Sequence, residues 1–239
     1  VEKKMATECY DYKKRSEAGK DASLIGLIYG DFGTGKTYLA GTIERTIQQM
    51  NKETPVDLDV PEDVTVRYAT LFANAEQGED GLPLDCGDII IKDIVTYKDF
   101  SRMYDFLKLH HRAFKAGDTK KLMELHAAYF KTPINEITEL WIFMGVVVDS
   151  LTEIQKFCLY QLIGLSQDSK LDDEPEYMQM RDWGTALEMI LLMVRNFRAL
   201  PGYKLFISQQ MEDQDEKKKM FFRPALQGQA KLSILGFFD

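Results

Sequence analysis

Leu24-Ile25-Gly26-Leu27-Ile28-Tyr29-Gly30-Asp31-Phe32-Gly33-Thr34-Gly35-Lys36-Thr37 is the stretch on which the reading of this 239-residue chain turns. Its first half is a short apolar run that stops at a glycine-rich turn, the pattern of a strand buried in a parallel sheet. Its second half, Gly30 to Thr37, fits G-x-x-x-x-G-K-[ST] in full, and a helix pattern follows from Lys36 to about Met50. The motif arises by chance in on the order of one chain in a hundred of this length. The strand before it and the helix after it supply the context of a phosphate-binding loop. The three glycines let the backbone wrap closely, so that successive N–H groups face phosphate oxygens. The helix N-terminus adds its partial positive charge. Lys36 brings a point charge to the β and γ phosphates, and the Thr37 hydroxyl is placed to ligate Mg2+. The candidate nucleotide-binding residues are therefore Gly30, Asp31, Phe32, Gly33, Thr34, Gly35, Lys36, Thr37 and Tyr38.

Outward from this loop, strands and helices alternate. Val64 to Phe72, Asp88 to Val95, Trp141 to Val148 and Lys204 to Ser208 read as further strands. Helical spacing covers Tyr97 to Glu139, broken at Gly117-Asp118, then Thr152 to about Leu165 and about Trp183 to Ala199. The stripe Leu187, Ile190, Leu191, Val194 and Phe197 reads as core packing. Such alternation predicts an α/β domain with a mostly parallel sheet flanked by helices. Residues 1–22 read as a polar tail or loosely attached helix, and residues 23–239 as one domain with a helical insertion at about 98–140. A phosphate loop needs an acid at the end of another buried strand to hold the metal's water shell. Phe143-Met144-Gly145-Val146-Val147-Val148-Asp149-Ser150 supplies Asp149, with Ser150 beside it as an aid to the metal shell or to γ-phosphate sensing.

Composition bounds the function. Apolar residues make up 45% and charged residues 28%, which excludes disorder as the dominant state. No apolar run approaches the ~20 residues of a membrane span, so no membrane partner is expected. The net charge of −8 argues against coating nucleic acid by bulk charge but leaves room for a local basic site. Cys9, Cys86 and Cys158 are too few and too scattered for a disulfide framework or a zinc site. His110, His111 and His126 read as solvated or half-buried side chains on a helical segment. No signal peptide pattern opens the chain, and a reducing, cytoplasmic setting fits.

The chain resembles the RecA-like phage nucleotide-binding proteins, a group that includes single-strand annealing recombination proteins of bacteriophages. The matching pieces are Leu27 through Ala40, Val147-Val148-Asp149-Ser150-Leu151-Thr152-Glu153, Arg181-Asp182-Trp183-Gly184 and Phe222-Arg223-Pro224-Ala225-Leu226-Gln227-Gly228. The resemblance implies a RecA-like P-loop ATPase core that uses ATP with Mg2+ and acts in DNA recombination or strand annealing. It also implies a single-strand DNA-binding protein as partner and the cytoplasm of a bacterial host as setting. In the RecA-like arrangement a Glu just past the strand after the P-loop helix orients the attacking water. Ala73-Asn74-Ala75-Glu76-Gln77-Gly78 places Glu76 there, with Glu79 as a nearby competitor. Asn74 departs from the acid that often stands beside that Glu. At the tip of the fifth strand, Gln209 or Gln210 is the candidate γ-phosphate sensor, with Gln209 taken first. A further strand is expected beyond Asp239.

Residues 211–231 read as a charged loop. Met211 to Glu216 is acidic, whereas Lys217, Lys218, Lys219, Phe221, Phe222 and Arg223 combine cations with paired aromatics. Single-strand binders use that combination, each base stack giving ~1–3 kcal/mol. A solvated charged loop over packed phenylalanines is an equal reading. Lys217–Lys219, Arg223 or Lys231 are alternatively cations that reach a neighbouring subunit's γ-phosphate. Three functions follow: an oligomeric ATP-dependent annealing protein on single-stranded DNA, a translocating motor, or a nucleotide switch that recruits a protein.

Overall fold

Strand and helix alternation builds a six-stranded sheet in the computed structural model, which describes residues 23–85, 89–165, 179–214, 217–227 and 229–238. The tail at 1–22, Cys9, Cys86, the acidic stretch at 167–176 and the Lys231 side chain lie outside the described residues. In chain order the elements are β1 (Ser23–Gly30), α1 (Lys36–Gly41), α2 (Ile43–Glu53), β2 (Thr65–Asn74), β3 (Ile89–Asp93), α3 (Tyr97–Ala116), α4 (Thr119–Phe130), β4 (Glu139–Asp149), α5 (Leu151–Leu162), α6 (Met180–Arg198), β5 (Gly202–Gln214), β6 (Met220–Pro224) and α7 (Ala230–Ser233). The sheet order is β1-β5-β4-β2-β3, parallel throughout, and β6 pairs β5 antiparallel. The fold is the α/β class expected, with a mostly parallel sheet between helical layers.

The period-2 alternation of β2 divides its side chains between two cores. Ala69, Leu71 and Ala73 face the cluster built with Phe100, Met103, Ile154, Cys158, Ile190, Val194 and Phe197 from α3, α5 and α6. Tyr68 and Phe72 face the opposite side, where Ala40, Ile43 and Ile47 of α1 and α2 pack. In β4 that alternation is interrupted. The register runs Ala69↔Phe143 and then Thr70↔Gly145, so Met144 is an extra residue, a bulge. Phe143 and Val146 consequently share one core although three residues apart. Gly145 is required there, because a Cβ would lie 2.4 Å from Thr70 Oγ1.

α3 and α4 meet at Gly117, which ends α3 in the left-handed region at φ 67, and Asp118 caps α4 through the Lys121 N–H. Phe106, stacked on Tyr129 at 4.0 Å, joins Phe130 and Phe143 in fastening this pair to β4. His110, His111 and His126 belong to this packing. They are buried, at 0%, 7% and 3% exposure, not solvated or half-buried as their helical setting suggested. The apolar spacing marked the helix faces but gave no weight to imidazole as a core side chain.

The other difference lies in the charged stretch after Ser208. It is not a loop: β5 continues to Gln214 and returns as β6, with Glu212↔Phe222, Asp213↔Phe221 and Met211↔Arg223 opposed. The ribbon is only partly buried on one face, where Phe221 and Arg223 are half-buried, while Met220 and Phe222 are exposed on the other, so apolar and charged residues fall on both faces and the sequence carries no apolar alternation from which to read a strand. No helix among the described residues is long and apolar enough to cross a membrane.

Candidate nucleotide site

Parallel strands bring their C-terminal ends to one edge of the sheet, and the candidate residues gather there. Gly33 and Gly35 have φ of 74 and 80, left-handed values that glycine adopts without strain, and they turn the loop into α1. The cavity above the loop holds about 370 Å3. It is lined by Phe32 to Tyr38 of the loop and α1, by Glu76, Gln77, Gly78 and Gly81 after β2, and by Asp149 and Gln209. The registers Gly30↔Gln209 and Asn74↔Asp149 carry this convergence. β5 lies between β1 and β4, so Gln209 stands between the phosphate loop and Asp149.

Lys36 is turned back on the loop. Its Nζ donates to Gly30 O at 3.0 Å, to Asp31 O at 2.7 Å and to Gln209 Oε1 at 3.4 Å. The same Gln209 side chain donates from Nε2 to Glu76 Oε2 at 3.2 Å. Glu76 Oε1 accepts from Ser150 Oγ. Ser150 thus serves the glutamate, where the sequence suggested the metal shell or the γ-phosphate. The backbone also holds Glu76 in place, since Ala75 N and Glu76 N donate to Asp149 O at 2.6 and 3.2 Å.

Thr37 Oγ1 donates to Asp149 Oδ2 at 2.6 Å. Asp149 Oδ1 is buried and has no hydrogen-bond partner among the described residues. Burial raises the Asp149 carboxyl to about 6; the Thr37 hydrogen bond and Lys36 oppose the rise and the nearby Glu76 adds to it. A buried carboxylate with one idle oxygen, beside a hydroxyl, is a donor set that fits a hard divalent cation.

Gln209 and not Gln210 occupies the site, because Gln210 pairs with Pro224 in the ribbon. Glu79 is held apart, accepting from Asn74 Nδ2 at 2.6 Å. Sequence reasoning missed Thr152, whose Oγ1 accepts from Gln209 N at 3.2 Å and lies 3.1 Å from Ser208 Oγ. Its place in Asp149-Ser150-Leu151-Thr152, in the first turn of α5, was the available signal. Gln77, Gly78 and Gly81 were missed as lining residues, since nothing in a turn-rich stretch shows which way it folds over.

The ribbon residues lie elsewhere. Lys217, Lys218 and Lys219 are exposed at its tip. Phe221 and Phe222 are consecutive on a strand and point to opposite faces, so they do not form one paired platform. Phe222 is 52% exposed, beside Met220 at 46%. Phe221 is half-buried under the Arg223 guanidinium, 4.3 Å from its ring centroid, and Arg223 also pairs with Asp213 at 3.5 Å.

A family model described as an AAA domain matches residues 22–239, from the start of β1 to the last residue. No curated protein matches the chain.

Proposed function

The chain belongs to the AAA domain family of P-loop ATPases, and from that premise we propose that it is a Mg2+-dependent ATPase acting as a homo-oligomer on single-stranded DNA, in strand annealing during phage recombination. In this reading it works in the cytoplasm of a bacterial host, beside a single-strand DNA-binding protein. Gly30 to Tyr38 would hold the nucleotide with Lys36 at the β and γ phosphates, and Thr37 and Asp149 would hold Mg2+. The bound cation supplies charge neutralisation at the phosphates. Glu76 takes the proton of the attacking water, oriented by Ser150 and Gln209.

The observation that carries the reading is the position of Gln209. Its side chain bridges Lys36 and Glu76, while its backbone O accepts from Ala225 N at 2.7 Å at the root of the β5–β6 ribbon. When Lys36 turns to a γ-phosphate it releases Gln209 Oε1, so nucleotide state reaches the ribbon through one residue. The exposed Lys217–Lys219 and Phe222 then supply phosphate contacts and a stacking ring. Two features support an oligomer. Lys36 is the one cation lining the cavity among the described residues, so a second transition-state cation comes from a neighbour. Phe32, Tyr38 and Leu39 are exposed at 91%, 50% and 57% around the cavity mouth, apolar surface that a neighbour would cover.

Three variants test this. Lys36→Ala abolishes ATP binding measured by calorimetry. Glu76→Gln retains ATP and lowers hydrolysis at least about a hundredfold; wild-type turnover in that variant removes Glu76 from the role. Phe222→Ser with Lys217–Lys219 replaced by Ala weakens oligonucleotide binding at least about tenfold in the presence of an ATP analogue and leaves basal ATPase intact. Fast DNA-stimulated turnover with directional movement would replace annealing by translocation.

A further inference from the structure

The end of the sheet opposite the nucleotide site carries a groove of about 420 Å3, between the start of β1, one face of α3 and the connection from α6 to β5. Three cations line it, Lys108, Arg112 and Lys115, and among the described residues no acidic side chain does, in a chain whose net charge is −8. They stand four and three residues apart on α3, about 6 and 4.5 Å of helix rise, and so form a row along one helix face. Tyr104 continues the row one turn earlier, with the Lys108 ammonium 5.8 Å from its ring centroid. The facing wall, Ala199-Leu200-Pro201, is uncharged.

The floor adds to this positive character. Lys204 is fully buried, and its Nζ donates to Ser23 Oγ at 2.6 Å, Leu200 O at 2.5 Å and Gly202 O at 2.8 Å. Ser23 and Leu200 both line the groove, so a fixed ammonium sits directly beneath it. His111 also lines the groove; burial lowers its pKa to about 4, and the Lys204 ammonium adds to that lowering.

We propose that this groove is a polyanion site that holds the phosphodiester backbone of a single-stranded nucleic acid. A row of cations over successive helix turns suits a linear polyanion better than a lone phosphate, which a closed cradle would serve. The Tyr104 edge and the uncharged wall suit bases that turn away from their phosphates. Seven residue steps of β1, about 23 Å, separate Ser23 from Gly30, and the groove shares no lining residue with the nucleotide cavity, so the proposal predicts binding that does not require nucleotide. The proposal does not rest on the ribbon's role, because the two surfaces share no residue.

The test is fluorescence anisotropy of a labelled oligothymidylate with the full chain, across a salt series, with and without an ATP analogue. The groove predicts a binding component that persists without nucleotide. Lys108→Gln/Arg112→Gln/Lys115→Gln should weaken that component at least about tenfold and reduce the slope of log K against log salt by about 2. Basal ATPase should stay unchanged, and the charge-conserving Arg112→Lys should retain binding. If the triple variant loses its melting transition, Arg112→Gln alone, at an exposed position, should weaken binding in the same direction. Unchanged affinity and slope in the variants overturns the proposal. So does a wild-type chain that binds no oligonucleotide at low salt without nucleotide, or displacement by polyglutamate as effective as by unlabelled oligothymidylate. Loss of all binding in the ribbon variant likewise sinks the groove while leaving the ribbon reading intact; loss of only the nucleotide-dependent part leaves both.

Discussion

Asn74 ends β2 with its side chain turned into the sheet edge, 2% exposed. Its Nδ2 donates to Glu79 Oε2 at 2.6 Å and to Asp93 Oδ1 at 2.9 Å, and its Oδ1 accepts from Gly78 N at 3.1 Å. The amide joins two carboxylates and anchors the turn that carries Glu76. An Asp here would have no N–H to offer and would bring a third negative charge beside two others. Asn74→Asp is therefore expected to lower kcat about tenfold, equivalent to about 1.4 kcal/mol of lost positioning, with ATP affinity within about twofold. Steady-state kinetics with nucleotide titration checks it. An unchanged kcat would show that the turn is held by its backbone contacts to Asp149 O alone.

At the scale of the element, β5 is the strand that joins the two ends of the molecule. It starts at Gly202, passes Lys204 under the groove, presents Gln209 to the nucleotide cavity and leaves the sheet as the ribbon. Its start depends on a glycine. Gly202 has φ of 82, and a Cβ would lie 2.3 Å from Met144 O at the β4 bulge. Gly202→Ala would require the backbone of both strands to shift. The expected cost is about 2–4 kcal/mol, which for a chain of this size lowers Tm by several degrees. Calorimetry or circular dichroism measures the shift; an unaltered Tm would mean the bulge relaxes without loss. The ribbon at the other end is held mainly by backbone pairing and by the Arg223 contacts with Asp213 and Phe221. Partly exposed ion pairs add at most about 1 kcal/mol.

For the whole molecule, the buried histidines govern acid stability. Burial lowers His110 to about 3 and His111 and His126 to about 4, from an ordinary value of 6.5. Neighbouring positive groups contribute for two of them: His111 and His126 for His110, and Lys204 for His111. Since the folded values lie below the unfolded one, the unfolded chain takes up protons first as pH falls. The stability present above pH 6.5 is lost as pH drops from there toward 4 and 3. The slope reaches about 1.4 kcal/mol per pH unit for each histidine. Asp149, raised to about 6 by burial, works in the opposite direction and offsets part of one histidine between 6 and 3.8. The urea midpoint should fall steeply between about pH 7 and about pH 5. A flat midpoint over that range would mean that the helices packed on β4 admit charged imidazole.

The sequence by itself determined the phosphate loop, the strand that feeds it, the acid at the end of the Val146-Val147-Val148 run and the α/β class. Each of these rests on local rules: glycine where φ is positive, apolar runs where a strand is buried, Lys and Thr where a triphosphate and its cation meet. It also marked the helix pair and its break at Gly117-Asp118, through helical spacing and a turn signal. Only the tertiary structure decided that Gln209 and not Gln210 faces the cavity, that Ser150 serves Glu76, that Asn74 ties Glu79 to Asp93, that three histidines belong to the core, and that cations on α3 meet the start of β1. Those facts are set by strand order and register, which bring together residues far apart in the chain through pairings that leave no local pattern. The ribbon was illegible for a related reason: its inner face is only half-buried and holds Arg223, while apolar Met220 and Phe222 lie on the exposed face, so hydrophobicity does not follow the alternation that announces a strand.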